Sequence, residues 1–148
     1  MENNPTVGII GPKLLFPDGK IQSCGGLYDV AKGPFHRYMG FASDYRLANI
    51  EESVPWITGA AFMVRADLFR SLGGFDEGYR RAYFEDVDFC ERAKQVGYEV
   101  WYSPESVFVH HVGQSTNVGD NQVKAFEAAR SFNRNAKRFH DKWDSVIQ

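Results

Sequence analysis

Tyr83-Phe84-Glu85-Asp86-Val87-Asp88-Phe89-Cys90-Glu91-Arg92 is the stretch on which the reading of this chain turns. Glu85, Asp86 and Asp88 crowd three carboxylates into four positions, directly behind two aromatic residues. Val87, Cys90, Ala93 and Val96 then recur at three- to four-residue spacing, which predicts a helix over 85–96 closed by Gly97. Acids in a first helical turn answer the macrodipole, each contributing about 0.3–1 kcal/mol, and capping accounts for one or two of them. A third adds mutual repulsion, and aromatic neighbours desolvate the group and raise a carboxyl pKa. Crowding of this kind suits proton transfer, although on spacing alone capping is the commoner explanation.

On the C-terminal side, Tyr98, Val100 and Tyr102 alternate with Glu99 and Trp101, a strand that Pro104 is expected to end. Val107–His111 reads as another short strand. Residues 120–146 read as a long amphipathic helix, with Val123, Phe126, Ala129, Phe132, Ala136, Phe139 and Trp143 on one stripe. Its basic face is most simply solvated, with contact to an anionic membrane surface or partner as the alternative. On the N-terminal side, Val7–Phe16 is a strand interrupted at Gly11-Pro12. The turn Pro17-Asp18-Gly19-Lys20 leads back to Ile21–Ser23 as a short hairpin. Residues 25–53 show no clean period and read as an irregular loop. Trp56–Val64 is a buried-strand candidate, Arg65–Leu72 a short helix stopped by Gly73-Gly74, and Phe75–Tyr79 a turn. The expected organisation is one mixed α/β unit over 1–148, with a disordered start at 1–6.

Composition narrows the class. The 148 residues, 43% hydrophobic and 24% charged, suit one soluble domain with a substantial core. A formal net charge of -2 gives no basic surface for nucleic acid, so no nucleic-acid partner is expected. The apolar run Val54–Val64 falls well short of the roughly 20 residues that cross a bilayer, and no transmembrane segment or secretory signal is read. Cys24 and Cys90 are the only cysteines and form no C-x-x-C pair, which argues against a disulfide framework and for a reducing, cytoplasmic setting.

Two further features qualify as candidates. His110-His111 stand before Val112-Gly113-Gln114-Ser115; adjacent strand residues face opposite ways, so at most one histidine faces a site. A half-exposed strand end is the bland reading, and a divalent-metal ligand the functional one. In Trp56-Ile57-Thr58-Gly59-Ala60-Ala61 the small residues let another group approach the backbone, more commonly a packed helix than a ligand.

The order of the pieces is more specific than any one of them. Val7-Gly8-Ile9-Ile10-Gly11-Pro12-Lys13, Pro17-Asp18-Gly19, Thr58-Gly59-Ala60, Met63-Val64-Arg65 and Leu72-Gly73-Gly74-Phe75-Asp76-Glu77 come first. Phe84-Glu85-Asp86-Val87-Asp88 with Arg92, Gly97-Tyr98, Ser103-Pro104 and His110-His111 with Ser115 follow. This ordered set resembles the C-terminal part of the inverting family 2 glycosyltransferases of the GT-A fold, from about Val7 to the last helix. The resemblance implies an α/β fold: a partial GT-A, Rossmann-like mixed sheet with flanking helices, lacking the N-terminal nucleotide-binding half. It implies a hexosyl-type transferase in which a nucleotide-diphosphate sugar donates to an acceptor hydroxyl of a glycan or lipid-linked acceptor. The base falls in the Glu85-Asp86 pair, with Asp86 first and Glu85 and Asp88 in support. Trp56, Thr58, Gly59 and Ala60 would line the wall where donor sugar and acceptor meet. A divalent metal, Mn or Mg, would stabilise the departing diphosphate, with His111 as a ligand.

One departure tempers that expectation. The family's D-x-D strand, which holds the metal and the donor diphosphate, should precede Val7, and Met1–Thr6 do not contain it. Residues 1–148 are therefore expected to be inactive alone, and to self-associate or pair with a missing N-terminal half across an open sheet edge. A cytoplasmic location at the inner membrane face fits a lipid-linked acceptor. The rival readings are a non-catalytic sugar- or partner-binding remnant and, more remotely, a metal hydrolase built on Asp86, Asp88 and a histidine.

Overall fold

The computed structural model describes residues 4–29, 33–80, 82–111 and 122–147. The frame is a mixed sheet built on β1 (Val7–Leu15). β1 pairs in parallel with β7 (Glu99–Val109) on one side. On its other side it pairs antiparallel with β6 (Met63–Val64) at its start and β2 (Ile21–Ser23) at its end. β5 (Glu52–Ser53) extends the sheet beyond β7 through Glu52 opposite Tyr102 and Ser53 opposite Trp101. This is the α/β architecture of a partial GT-A-like fold.

Pro104 does not end a strand. β7 runs through it because Pro104, Glu105 and Ser106 bulge out: Pro12 sits opposite Ser103, whereas Lys13 sits opposite Val107. The proline's missing N–H thus falls where no ladder bond is required. Nor is Trp56–Val64 one strand. Trp56 makes an isolated bridge to Gly26, residues 59–61 turn, and only Met63–Val64 join the sheet. The apolar run is continuous because it serves separate packing sites. The segment expected to be irregular contains a second sheet, the hairpin β3 (Gly26–Asp29) and β4 (Gly33–His36), and a short 3-10 turn over Arg46–Asn49.

Helix α1 (Ala66–Ser71) ends at Gly73 and Gly74, both at positive φ, and Gly74 N–H closes onto Phe69 O at 2.9 Å. Helix α2 (Glu85–Gln95) packs Val87, Phe89, Cys90 and Ala93 into the core. Phe89 meets the rings of Phe69 and Phe75, each at 5.4 Å between centroids. Helix α3 (Gln122–Trp143) closes the unit. Its inward line is Ser131, Asn135, Phe139 and Trp143, every fourth residue, so two polar side chains sit where an apolar stripe was expected and Phe132 is 45% exposed. Residues 1–3, 112–115, 120 and 121, on which expectations were placed, lie outside the described residues. Asn4–Thr6 are tied in: Val7 N–H donates to Asn4 O and Glu99 N–H to Thr6 O.

Among the described residues no helix is long and apolar enough to cross a membrane. Cys24 and Cys90 are buried and free, and burial pushes the Cys90 thiol up to about 12.

Candidate active site

Tyr83 and Phe84 stand at φ 80° and 75°, a left-handed pair without glycine. Each such residue costs on the order of 1–3 kcal/mol and persists only where surroundings over-determine it. The pair reverses the chain so that Phe84 becomes the residue before α2, and Asp88 N–H donates to Phe84 O at 2.9 Å to begin the helix. Glu85 and Asp86 are thereby set at the helix N-terminus.

The three carboxylates have three different environments. Asp86 is half-buried. Its Oδ2 accepts the Gly59 N–H at 2.7 Å, and its Oδ1 accepts the Val87 N–H at 2.8 Å. A carboxylate offers about four lone-pair sites, so two backbone donors orient the group and leave it able to accept a proton. Glu85 lies beside it with Oε2 buried and unpartnered. Burial, and then the Asp86 charge, raise the Glu85 carboxyl above its ordinary range. Asp88 is fully buried on the far side of the helix, since residues two apart project about 200° from each other. It accepts hydrogen bonds from Lys142 Nζ at 2.7 Å, Arg92 Nε at 2.8 Å, Trp143 Nε1 at 2.9 Å and Tyr79 Oη at 3.2 Å. Arg92 continues to Leu72 O and Gly74 O. Asp88 ties α2 to α3 and to the turn after α1.

Of the other expected site residues, Gly59 is brought to the pair directly. A Cβ there would lie 3.3 Å from the Asp86 Cβ, so glycine suits the close approach. Thr58 is half-buried in the same turn, its Oγ1 accepting the Ala60 N–H at 3.4 Å, and Ala60 is exposed. Trp56 is buried under Gly26, with its indole N–H donated to Leu27 O at 3.2 Å. His110 pairs its Nδ1 with Gln22 Oε1 at 2.6 Å, while His111 is exposed. Among the described residues no three His, Cys, Asp or Glu side chains are placed to hold a metal ion. The described residues therefore do not fit a cation site by themselves.

Two residues were not singled out from the sequence. The His36 ring lies tilted against Trp56, 4.9 Å between centroids, and meets Ser23 Oγ through Nδ1 at 2.9 Å. Burial lowers its pKa, and the Asp86 charge opposes that. Asn135 is fully buried under the turn that carries the pair. The basic face of α3 forms an open groove of about 440 Å³ lined by Arg134, Lys137, Arg138, Asp141 and Lys142. Its cations are largely neutralised: Lys137 by Asp141, Arg138 by Asp76 and Lys142 by Asp88.

Residues 1–134 match the model of the family described as Glycosyl transferase family group 2. An N-acetylglucosaminyl-diphospho-decaprenol L-rhamnosyltransferase of Mycobacterium tuberculosis is 34% identical over 124 residues, 76% of this chain and 40% of that protein. The O-antigen biosynthesis protein RfbC of Myxococcus xanthus is 33% identical over 116 residues, 75% of this chain and 9% of that protein. The rhamnosyltransferase WbbL of Escherichia coli K12 is 36% identical over 58 residues, 39% of this chain and 22% of that protein. The chain thus spans less than half the length of these relatives.

Proposed function

This chain belongs to the family 2 glycosyltransferases, and on that premise we propose that Asp86 is the base of an inverting sugar transfer. The observation that carries the assignment is the contrast within the acidic cluster. Asp86 is oriented by two backbone N–H groups and keeps lone pairs free, whereas Asp88 is saturated by four side-chain donors. A hydroxyl of the acceptor, placed against Asp86, gives its proton to the carboxylate as its oxygen forms the new bond to the anomeric carbon. The bond from that carbon to the diphosphate breaks, and the nucleoside diphosphate departs with the electron pair. Attack from the side opposite the leaving group inverts the anomeric centre. Gly59 N–H holds Asp86 in direction, and the turn Thr58–Ala60 forms the neighbouring wall.

Divalent metals are common in this family. The step above passes through none, because the described residues do not compose a cation site. Substrate classes follow from the relatives' names. Two are rhamnosyltransferases, and the name of one includes a sugar on a diphospho-polyprenol. A nucleoside diphosphate L-rhamnose donor and an N-acetylglucosaminyl-diphospho lipid acceptor are accordingly the first pair to assay. An acceptor of that kind would be met at a membrane surface.

The test is Asp86→Asn in a protein active on that pair. Turnover is expected to fall by roughly 100-fold or more, in line with the usual contribution of general base catalysis, with the fold intact. Near-normal turnover by the variant would remove Asp86 from the role. Retention of anomeric configuration, read by NMR of the product, would remove the single displacement. Binding of the sugars with no transfer under any donor would favour the non-catalytic reading.

A further inference from the structure

We infer that Asn135 is a positioning residue: from α3 it holds the left-handed Tyr83–Phe84 turn, and through it the direction in which α2 carries Asp86. The inference rests on the role proposed for Asp86. Asn135 is fully buried, and its amide nitrogen lies 2.9 Å from Ala82 O, 3.1 Å from Tyr83 O and 3.2 Å from Arg80 O. An amide NH2 carries two hydrogens, so at least one is shared among the three carbonyls. Three acceptors repel one another and converge only around a donor. Arg134 NH2, one residue earlier on α3, adds a fourth bond at 3.3 Å to Arg80 O.

These carbonyls belong to the segment that ends in the two non-glycine residues at positive φ. That conformation is unfavourable by itself, so it needs an external hold. Phe84 supplies part of it through its ring, whose centroid lies 5.2 Å from that of Phe132 and 5.6 Å from that of Phe139. Tyr83 is 42% exposed, and its ring meets only the edge of Phe132, at 5.5 Å between centroids. The hydrogen bond on its backbone carbonyl comes from the Asn135 amide. Immediately beyond the turn stand Glu85 and Asp86, and Asp86 reaches Gly59 N–H only while α2 starts where it does. Asn135 need touch no substrate. It acts on the reaction through the backbone.

The experiment removes the donor while keeping the shape: Asn135→Asp, with Asn135→Ser as a second variant that leaves one hydroxyl donor. The full chain, supplied with a donor-binding half, is assayed with the rhamnosyl donor and lipid acceptor named above, alongside amide exchange over residues 84–88. Asn135→Asp is expected to lower kcat roughly 10–100-fold, the scale of a sub-ångström to ångström misplacement, with acceptor KM little changed and exchange over 84–88 faster. Ser131→Ala, another buried polar position on the same helix face, is expected to leave both readouts unchanged. The decisive arm is rescue. Tyr83→Gly relieves the positive-φ penalty, so in the Asn135→Asp background it should restore part of kcat and slow the exchange again. A merely structural asparagine would not respond to Tyr83→Gly. Loss of kcat without faster exchange, or faster exchange with no rescue, overturns the inference. So does persistent unfolding of both Asn135 variants even with Tyr83→Gly, because the residue would then hold the whole fold rather than the turn. Absence of sugar transfer by the unaltered protein even when a donor-binding half is supplied would sink the transferase reading instead, and the exchange arm would still judge the clamp.

Discussion

Replacing Asp88 by asparagine takes a charge from a fully buried position that four donors share. Two of the donors are cations. Arg92 lies 2.8 Å from Oδ2, and Lys142 lies 2.7 Å from Oδ1 with 36% of its side chain exposed. Asparagine keeps one acceptor oxygen but turns an amide donor toward a donor. Breaking a buried ion pair from one side costs about 3–5 kcal/mol. Lys142 can retreat toward water and toward Asp76, 3.7 Å away, which places the expected loss at the lower end of that range. At about 2–4 °C per kcal/mol for a chain of this size, a loss near 3 kcal/mol lowers the melting temperature by roughly 6–12 °C. Tryptophan fluorescence during thermal or urea unfolding is a suitable assay, since the Trp143 indole donates to the same carboxylate. Asp86→Asn is the comparison: half-buried at the helix start, it is expected to cost no more than about 1 kcal/mol. A melting temperature for Asp88→Asn indistinguishable from the parent, or a larger loss at Asp86 than at Asp88, would refute the division of the cluster into an anchor and a base.

Two other outcomes follow from the same geometry. Burial raises the Glu85 carboxyl pKa above its ordinary 4.5, so the fold favours its protonated form. The stability this confers is full below the ordinary value and is lost as pH rises through the raised one. Glu85→Gln, permanently neutral, should therefore melt higher than the parent at pH 8 and no higher at about pH 4; an equal gain at both pH values would show that titration is not the cause. Gly26→Ala should destabilise by about 1–3 kcal/mol or more, because the new methyl would overpack the buried indole of Trp56. Its Cβ would fall 1.9 Å from Trp56 Cε2, and an unchanged urea midpoint would contradict that packing.

Where local chemistry dominates, the reading from residues alone held. Val87, Cys90 and Ala93 of α2 face the core as spaced, though Val96 is exposed just past the helix end, and the stop at Gly97 and the Gly73-Gly74 end of α1 are present, since caps and amphipathic spacing act within a turn or two. The mixed α/β class followed from the same local signals. Where partners are distant, it failed. Pro104 resembles a terminator until the bulge against Pro12 and Lys13 removes its missing donor from the ladder. Trp56–Val64 resembles one strand because apolarity does not record that Trp56 packs beneath Gly26 while Met63–Val64 pair with β1.

The acidic cluster divides along the same line. Helical spacing by itself sends Asp86 and Asp88 to opposite sides of α2, and the residue types by themselves mark the cluster as chemically unusual. Which side is interior depends on α3, whose Lys142 and Trp143 lie 54 and 55 residues from Asp88 in sequence. The same holds for Asn135, which nothing in its neighbours singles out until three carbonyls more than 50 residues upstream are folded against it. Periodicity and capping are properties of neighbouring residues and can be read in order along the chain. Burial and hydrogen-bond saturation belong to pairs brought together only by folding, and they separate the carboxylate that anchors from the one left free to take a proton.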